Sequence, residues 1–356
     1  MNSMSKLLRA FIAIAGLLHV SIYSMEQETL LEMTEQQEQP VIQLPHKEEV
    51  ISGAFSSDGK RVLTGSGDER ARLWNTKTGD LITTFEGHTL SIWGVAFSPG
   101  NTRVLTCSSD TTIRLWDIYD SSLIREFRGH SDYISAVAFR PCGKIFLTGS
   151  YDGTARLWDI FSRNAIAVFK GHTGAISSVV WSTCGRKILT GSWDKTARLW
   201  DQKGNLIHEF KGHADRVNSV AFSPNGTMVV TGSDDCTACI WDVEKGTKVK
   251  EFNGHNAAVY SVAWSPEATT ILTGSLDKTA RIWDVESTNG LRQLHVSCPI
   301  YVVGFSPRGN KVLIGLKDEG AQIRTLSSFE ELSKEVVVEA PTMLDKDTVE
   351  LACSIQ

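Results

Sequence analysis

The chain has 356 residues, 41% hydrophobic and 22% charged, an ordinary globular composition with ample material for a core. Its 36 Lys and Arg against 41 Asp and Glu give a formal net charge of −5. This argues against a nucleic-acid-binding face, because such a face neutralises phosphates with clustered cations.

The N-terminus reads as an export signal over residues 1–24. Lys6 and Arg9 precede a mostly apolar run from Ala10 to Tyr23, shorter than the ~20 residues needed to span a bilayer. Ser24 is a small residue at the cut, although Ile22 is not small. The expectation is an exported, secreted or periplasmic protein; an uncleaved membrane anchor and a cytoplasmic chain are the alternatives. Residues 25–40, with EQETLLEMTEQQEQ at 26–39, read as an acidic, Gln-rich linker.

From there the chain matches itself at a shift of 41 or 42 residues. Trp-Asp or Trp-Asn recurs at Trp74, Trp116, Trp158, Trp200, Trp241 and Trp283. Gly-His recurs at His88, His130, His172, His213 and His255, and Pro45-His46 holds the same place in the first unit. Six residues before each Trp stands an Asp: Asp68, Asp110, Asp152, Asp194, Asp235 and Asp277. A seventh, degraded unit follows, with Phe305 where Trp264 stood, Asp318 where Asp277 stood and Arg324 in place of the Trp.

Each unit reads as four short strands. In the third, YISAVAF (133–139) is an apolar inner strand, KIFLTGS a second, TARLWD a third and NAIAVF a fourth, all too short and too punctuated by Gly and Asp for helices. One such sheet exposes both faces and cannot stand alone. Units arranged in a ring cover one another and leave only short edges, and seven inner strands predict seven blades.

These residues closely resemble the WD40-repeat family over roughly residues 41–326. The resemblance implies an all-β, seven-bladed β-propeller with four-stranded antiparallel blades. It also implies that the outer strand of one blade precedes the Gly-His and the inner strand of the next follows it. The seventh blade then lacks an outer strand after Arg324. VIQL (41–44) has the right character and place to close the ring; the alternative closer is VVVE (336–339), and ELSKE (331–335) is too polar.

Asp, His and a hydroxyl are the parts of a nucleophilic triad, and His88, Asp110 and Thr106, or His172, Asp194 and Thr190, would supply them. Six complete sets occur, however, each with a Trp at a fixed offset. An enzyme needs one site, whereas a fold needs the same brace in every blade. The resemblance implies that brace: turn Asp to His, His to Ser/Thr, and Ser/Thr to the Trp indole. The structural sets are His88–Asp110–Trp116, His130–Asp152–Trp158, His172–Asp194–Trp200, His213–Asp235–Trp241 and His255–Asp277–Trp283. The Arg two places before the Trp (Arg72, Arg114, Arg156, Arg198, Arg281) is expected to pack its stem rather than form an anion-binding ring.

Function is expected where the units disagree. Three positions vary: three after the His, five after it, and just before the turn Asp. The four-after position between the first two is always apolar, so the variable side chains point the other way. The resemblance implies that these loops share the narrower top of the ring. Among the variable residues are Trp93, Tyr133, Tyr151, Trp193, Tyr260 and Tyr301, with Arg216, Asp234 and Lys317 as polar anchors. Trp, Tyr and Arg dominate binding hot spots. Seven cysteines, an odd number, suit no disulfide framework. Cys236 and Cys239 form a CxxC with no second pair for a zinc site. After Leu326, Ser327 and Glu330 have capping-box spacing, so residues 327–356 read as a tail with a short helix at its start. No P-loop, nucleotide-binding glycine fingerprint or metal cluster appears.

The expectation is a non-enzymatic scaffold without cofactor or metal. It binds a protein or peptide partner on its top face, does not bind nucleic acid, and meets a membrane only if the N-terminal segment stays uncleaved. It acts as a monomer or as a subunit of a larger complex. The alternative is an enzyme or small-ligand binder using the central channel.

Overall fold

A computed structural model describes residues 41–331. The signal and linker readings, VVVE (336–339) and Cys353 lie outside them. Seven antiparallel sheets follow one another in chain order around a ring. Blade 3 shows the pattern: Ile134–Phe139, Ile145–Ser150, Ala155–Asp159 and Ala165–Phe169, paired in that order from the axis outward. The second strand is almost wholly buried in every blade, as expected for a sheet covered on both faces.

The core is seven clusters, each spanning two neighbouring blades. One unites Leu105, Ile113 and Phe127 of blade 2 with Ile134, Phe146 and Trp158 of blade 3. Phe127 meets Phe146 edge-on at 4.9 Å between centroids, and Phe146 stacks on Trp158 at 6.1 Å. The glycine of the recurrent Thr-Gly-Ser serves this packing. A Cβ on Gly149 would lie 2.6 Å from Ile176 Cγ2 and 2.7 Å from Val179 Cγ1 of the next blade, so only glycine lets the inner strand of blade 4 come this close.

Blade 7 draws three strands from the end of the described chain, Ile300–Phe305, Lys311–Leu316 and Ala321–Thr325, and its fourth from the beginning. Ile42, Gln43 and Leu44 pair with Ile323, Gln322 and Ala321. Arg324 stands opposite Val312 as Trp283 stands opposite Ile271.

Among the described residues, the helix expected after Leu326 does not form. Leu326–Ser328 is a single 3₁₀ turn without a side-chain cap. Phe329 then drops into the cluster that holds Leu272, Leu294 and Leu316. Burying that ring extends the chain, and Glu330–Glu331 pairs with Arg292 and Gln293 as a fifth strand on blade 6.

Candidate functional site at the top of the ring

The recurrent Asp, His, Thr and Trp form separate internal braces. In blade 3, His130 Nδ1 lies 2.7 Å from Asp152 Oδ2 and its Nε2 lies 2.8 Å from Thr148 Oγ1, which also accepts the Trp158 indole N–H at 2.9 Å. Blades 2, 4, 5 and 6 repeat this with His88–Asp110, His172–Asp194, His213–Asp235 and His255–Asp277 at 2.7–2.8 Å. Trp116, Trp200, Trp241 and Trp283 donate to their threonines. The threonine hydroxyls are fully buried, so substrate cannot reach the would-be nucleophiles. Burial alone would raise the Asp110 carboxyl, but hydrogen bonds from His88 and Thr112 outweigh it and hold the group well below the usual carboxylate range. Asp152, Asp194, Asp235 and Asp277 are held down in the same way. Blade 1 departs from the pattern: Arg72 Nη1 reaches His46 Nδ1 at 2.6 Å and also Asp68.

The recurrent arginines are packed, and Arg72, Arg114, Arg156 and Arg198 are ion-paired, whereas Arg281 lies over the Trp283 ring at 5.7 Å. Arg114 meets Glu126 at 3.0 Å and Arg198 meets Glu209 at 2.7 Å. Their guanidiniums lie over the glycine of Gly-His. Gly87 has φ +146° and Gly171 +152°, and a Cβ there would strike Arg114 or Arg198. That contact, together with the left-handed backbone, fixes glycine at this place.

Two backbone devices build the top surface. The first is a β-bulge in every inner strand, between the fourth and sixth residues after the His position. The bulged residue is therefore the variable fifth one: Ile51, Trp93, Ser135, Ser177, Asn218, Tyr260 and Tyr301. A bulge re-aims its side chain, and these line the mouth of the central channel. The second device joins the other two variable positions. The N–H before the turn Asp donates to the carbonyl three after the His, as in Tyr151 to Tyr133, Trp193 to Ala175 and Asp234 to Arg216, each at 2.9 Å.

The outcome is an aromatic arc across blades 2 to 5. Trp93 lies 6.2 Å from Tyr151; Tyr133 lies 5.9 Å from Tyr151; Tyr151 packs on Trp193 at 4.7 Å; Arg216 stands over the Trp193 ring at 4.3 Å. Trp93 Nε1 donates to Ser109 Oγ at 2.7 Å. Tyr260 and Tyr301 form a second pair at 5.1 Å. Burial, then the neighbouring Tyr151 and Tyr301, pushes the Tyr260 phenol up to about 12, and burial raises Tyr151 too. Both remain neutral hydrogen-bond donors at ordinary pH. Asp234 accepts from Asn218 Nδ2 at 2.7 Å. Lys317 stays exposed on the blade 7 turn. Tyr133 is exposed, whereas the other five aromatics are half-buried, a packed platform rather than separate surface rings.

Sequence reasoning missed the stitches below this platform. Ser177 Oγ donates to Val217 O of the next blade at 2.5 Å, Ser135 Oγ to Ile176 O, and Asn218 Nδ2 to Val259 O at 3.2 Å. One residue on, Ser52, Ser178, Ser219 and Ser261 accept the N–H of Val95, Val220, Val262 and Val303 at 3.0–3.2 Å. A serine six after the His in four of the seven units was the available signal. Cys107, Cys142, Cys184, Cys236, Cys239 and Cys298 are free thiols. Cys236 and Cys239 belong to no metal-binding group among the described residues.

No curated protein matches the chain. The sequence model of the WD40 family (WD domain, G-beta repeat) matches residues 38–75, 79–117, 121–159, 163–201, 204–242 and 246–284. The first match starts ahead of the strand Ile42–Leu44 and ends with the third strand of blade 1, so each repeat carries one blade's outer strand and three strands of the next. With six repeats covering well over half the chain and seven blades closed into a ring, the protein belongs to the WD40-repeat family of β-propellers.

Proposed function

We propose that this propeller is a non-enzymatic scaffold or adaptor that receives a protein or peptide partner on its top face, at the arc of Trp93, Tyr133, Tyr151, Trp193 and Arg216. The carrying observation is that residues which do not repeat in sequence are brought into contact with one another at one end of the channel. Packed aromatics beside a guanidinium offer large rigid contact area, the property that concentrates binding energy. Tyr260, Tyr301, Asp234 and Lys317 extend the surface on its far side. The test is affinity capture from the native milieu, comparing wild type with Trp93→Ala and Trp193→Ala. Both variants keep the wild-type melting temperature and lose most of the captured partner; capture undiminished in both refutes the assignment.

The same reading places the protein outside the cytoplasm, on the strength of the signal-like residues 1–24. N-terminal sequencing of the native protein finds Met25 first; a chain that retains residues 1–24 in the cytoplasm refutes it.

A further inference from the structure

Among the described residues, the outer strand of each blade from 1 to 5 has no strand beside it, whereas blade 6 carries the chain's own Glu330–Glu331. An open edge presents unpaired N–H and C=O groups that template a further strand. Blade 6 shows how this molecule fills one. Arg292 Nη1 donates to Leu326 O, just past the third strand of the next blade, at 3.3 Å, and its Nη2 reaches the Glu331 carboxylate at 3.3 Å. One guanidinium holds both the neighbouring blade and the added acidic strand.

Blade 2 has the first half of this arrangement and leaves the second open. Arg125 stands opposite Leu115 as Arg292 stands opposite Ile282. Its Nη1 donates to Phe161 O of the next blade at 2.8 Å. Thr83, Ala167, His208 and Lys250 hold this place in the other open blades, so blade 2 alone among them offers a guanidinium. A groove beside it is lined by Leu123, Ile124, Arg125, Glu126, Arg128 and Arg163. Three guanidiniums face one carboxylate, and Glu126 is already held by Arg114 and Arg128. The hairpins leading into the outer strands of blades 2 and 3 carry Tyr119 and Phe161, 79% and 68% exposed.

We propose that the outer edge of blade 2, Leu123–Arg128, binds an extended, acidic and aliphatic segment of a partner protein, which joins the sheet as a fifth strand. Backbone pairing supplies the frame in strand addition, and alternate side chains supply selectivity. Here Arg125 and Arg163 take the carboxylates, while Leu123, Ile124, Tyr119 and Phe161 take the aliphatic face. This surface is separate from the top arc.

The probe is a fluorescein-labelled peptide of five Glu-Val repeats, titrated onto the full chain, with five Lys-Val repeats as the charge-reversed control. The acidic peptide binds saturably, the basic one does not, and hydrogen exchange slows at Leu123–Arg128. Arg125→Glu and Arg163→Glu each weaken binding at least tenfold. Arg163 makes no hairpin contact of the Arg125 kind, so its variant separates lost recognition from a loosened blade. Arg308→Glu, the same charge change on the seam between blades 7 and 1, and Trp193→Ala each alter affinity less than twofold. The proposal fails if Arg308→Glu is as damaging as Arg125→Glu, if protection falls on another edge, or if the protein ignores the peptide. Binding to phosphatidylserine vesicles instead of the peptide also overturns it.

Discussion

The histidines of the braces carry their proton on different nitrogens, and the donors around them decide which. Asp110 is a carboxylate and can only accept, so His88 Nδ1 bears the proton and Nε2 accepts from the Thr106 hydroxyl. Arg72 can only donate, so in blade 1 His46 Nδ1 accepts and Nε2 bears the proton, donating to Thr64 Oγ1 at 2.8 Å. Thr64, already accepting from Trp74, sends its own proton to Arg72 O at 3.3 Å. Nitrogen-15 spectra therefore show, for the six brace imidazoles, one Nε2–H tautomer, from His46, against five Nδ1–H tautomers; six alike refute the assignment. Burial first, and then the fixed charge of Arg72, lowers His46 to about 3. The unfolded chain takes up that proton near 6.5 while the folded chain refuses it, so stability is complete above pH 6.5 and is lost as pH falls toward 3. Melting temperature declines between pH 7 and 5 less steeply in His46→Gln than in wild type. Removing a brace partner acts in the same sense: Asp152→Ala strands the buried His130 donor, at about 1–3 kcal/mol, and scanning calorimetry shows a lower melting temperature.

At the scale of strands, the bulge decides what the sequence could and could not reveal. Blades were legible because Trp158, Asp152 and His130 recur as chemically matched sets that survive every unit but the last. The direction of the variable side chains was legible from the apolar residue between them. The bulge was not, because it is a backbone event whose extra residue can be Ile51, Trp93 or Ser135 alike. Hence Ser135, Ser177 and Asn218, grouped with variable recognition positions, proved to be bolts between blades. Ser177→Val removes the bond to Val217 and lowers stability by about 1 kcal/mol, read as a shift in the denaturant midpoint, while capture through the arc stays intact. The start of the tail, over residues 327–331, was misread for a related reason. Ser327 and Glu330 satisfy a local capping rule, but Phe329 finds its place in a cluster built from blades 6 and 7, with members as distant in sequence as Leu272, and burial outweighs a single cap. Phe329→Ala frees the Glu330–Glu331 strand, so hydrogen exchange speeds up at Arg292 and Gln293 while the other six blades keep their protection.

At the scale of the molecule, the ring holds because sequence repeats and blades are out of phase by one strand. The strand Leu81–Phe85 completes blade 1 but belongs to the second repeat, and the same offset carries the chain around to blade 7. Ile42–Leu44 is the one place where this offset joins distant parts of the described chain. Leu44 is fully buried among Val62, Trp74 and Leu313. Leu44→Asp places a carboxylate in that cluster, where burying an unpaired charge is strongly unfavourable, and thermal unfolding becomes broad or splits as blades 7 and 1 separate before the rest.

Blade 7 also sets how the chain responds to tension. Ile42 pairs with Ile323, so the incoming and outgoing segments leave from the same end of that hairpin-like pair. A load on the ends of the described chain first strips Phe329 and Glu330–Glu331 from blade 6 and then peels the three residue pairs one after another instead of shearing them together. Held between a bead and a surface, the protein should therefore yield at this seam at low force, with six blades still intact behind the gap.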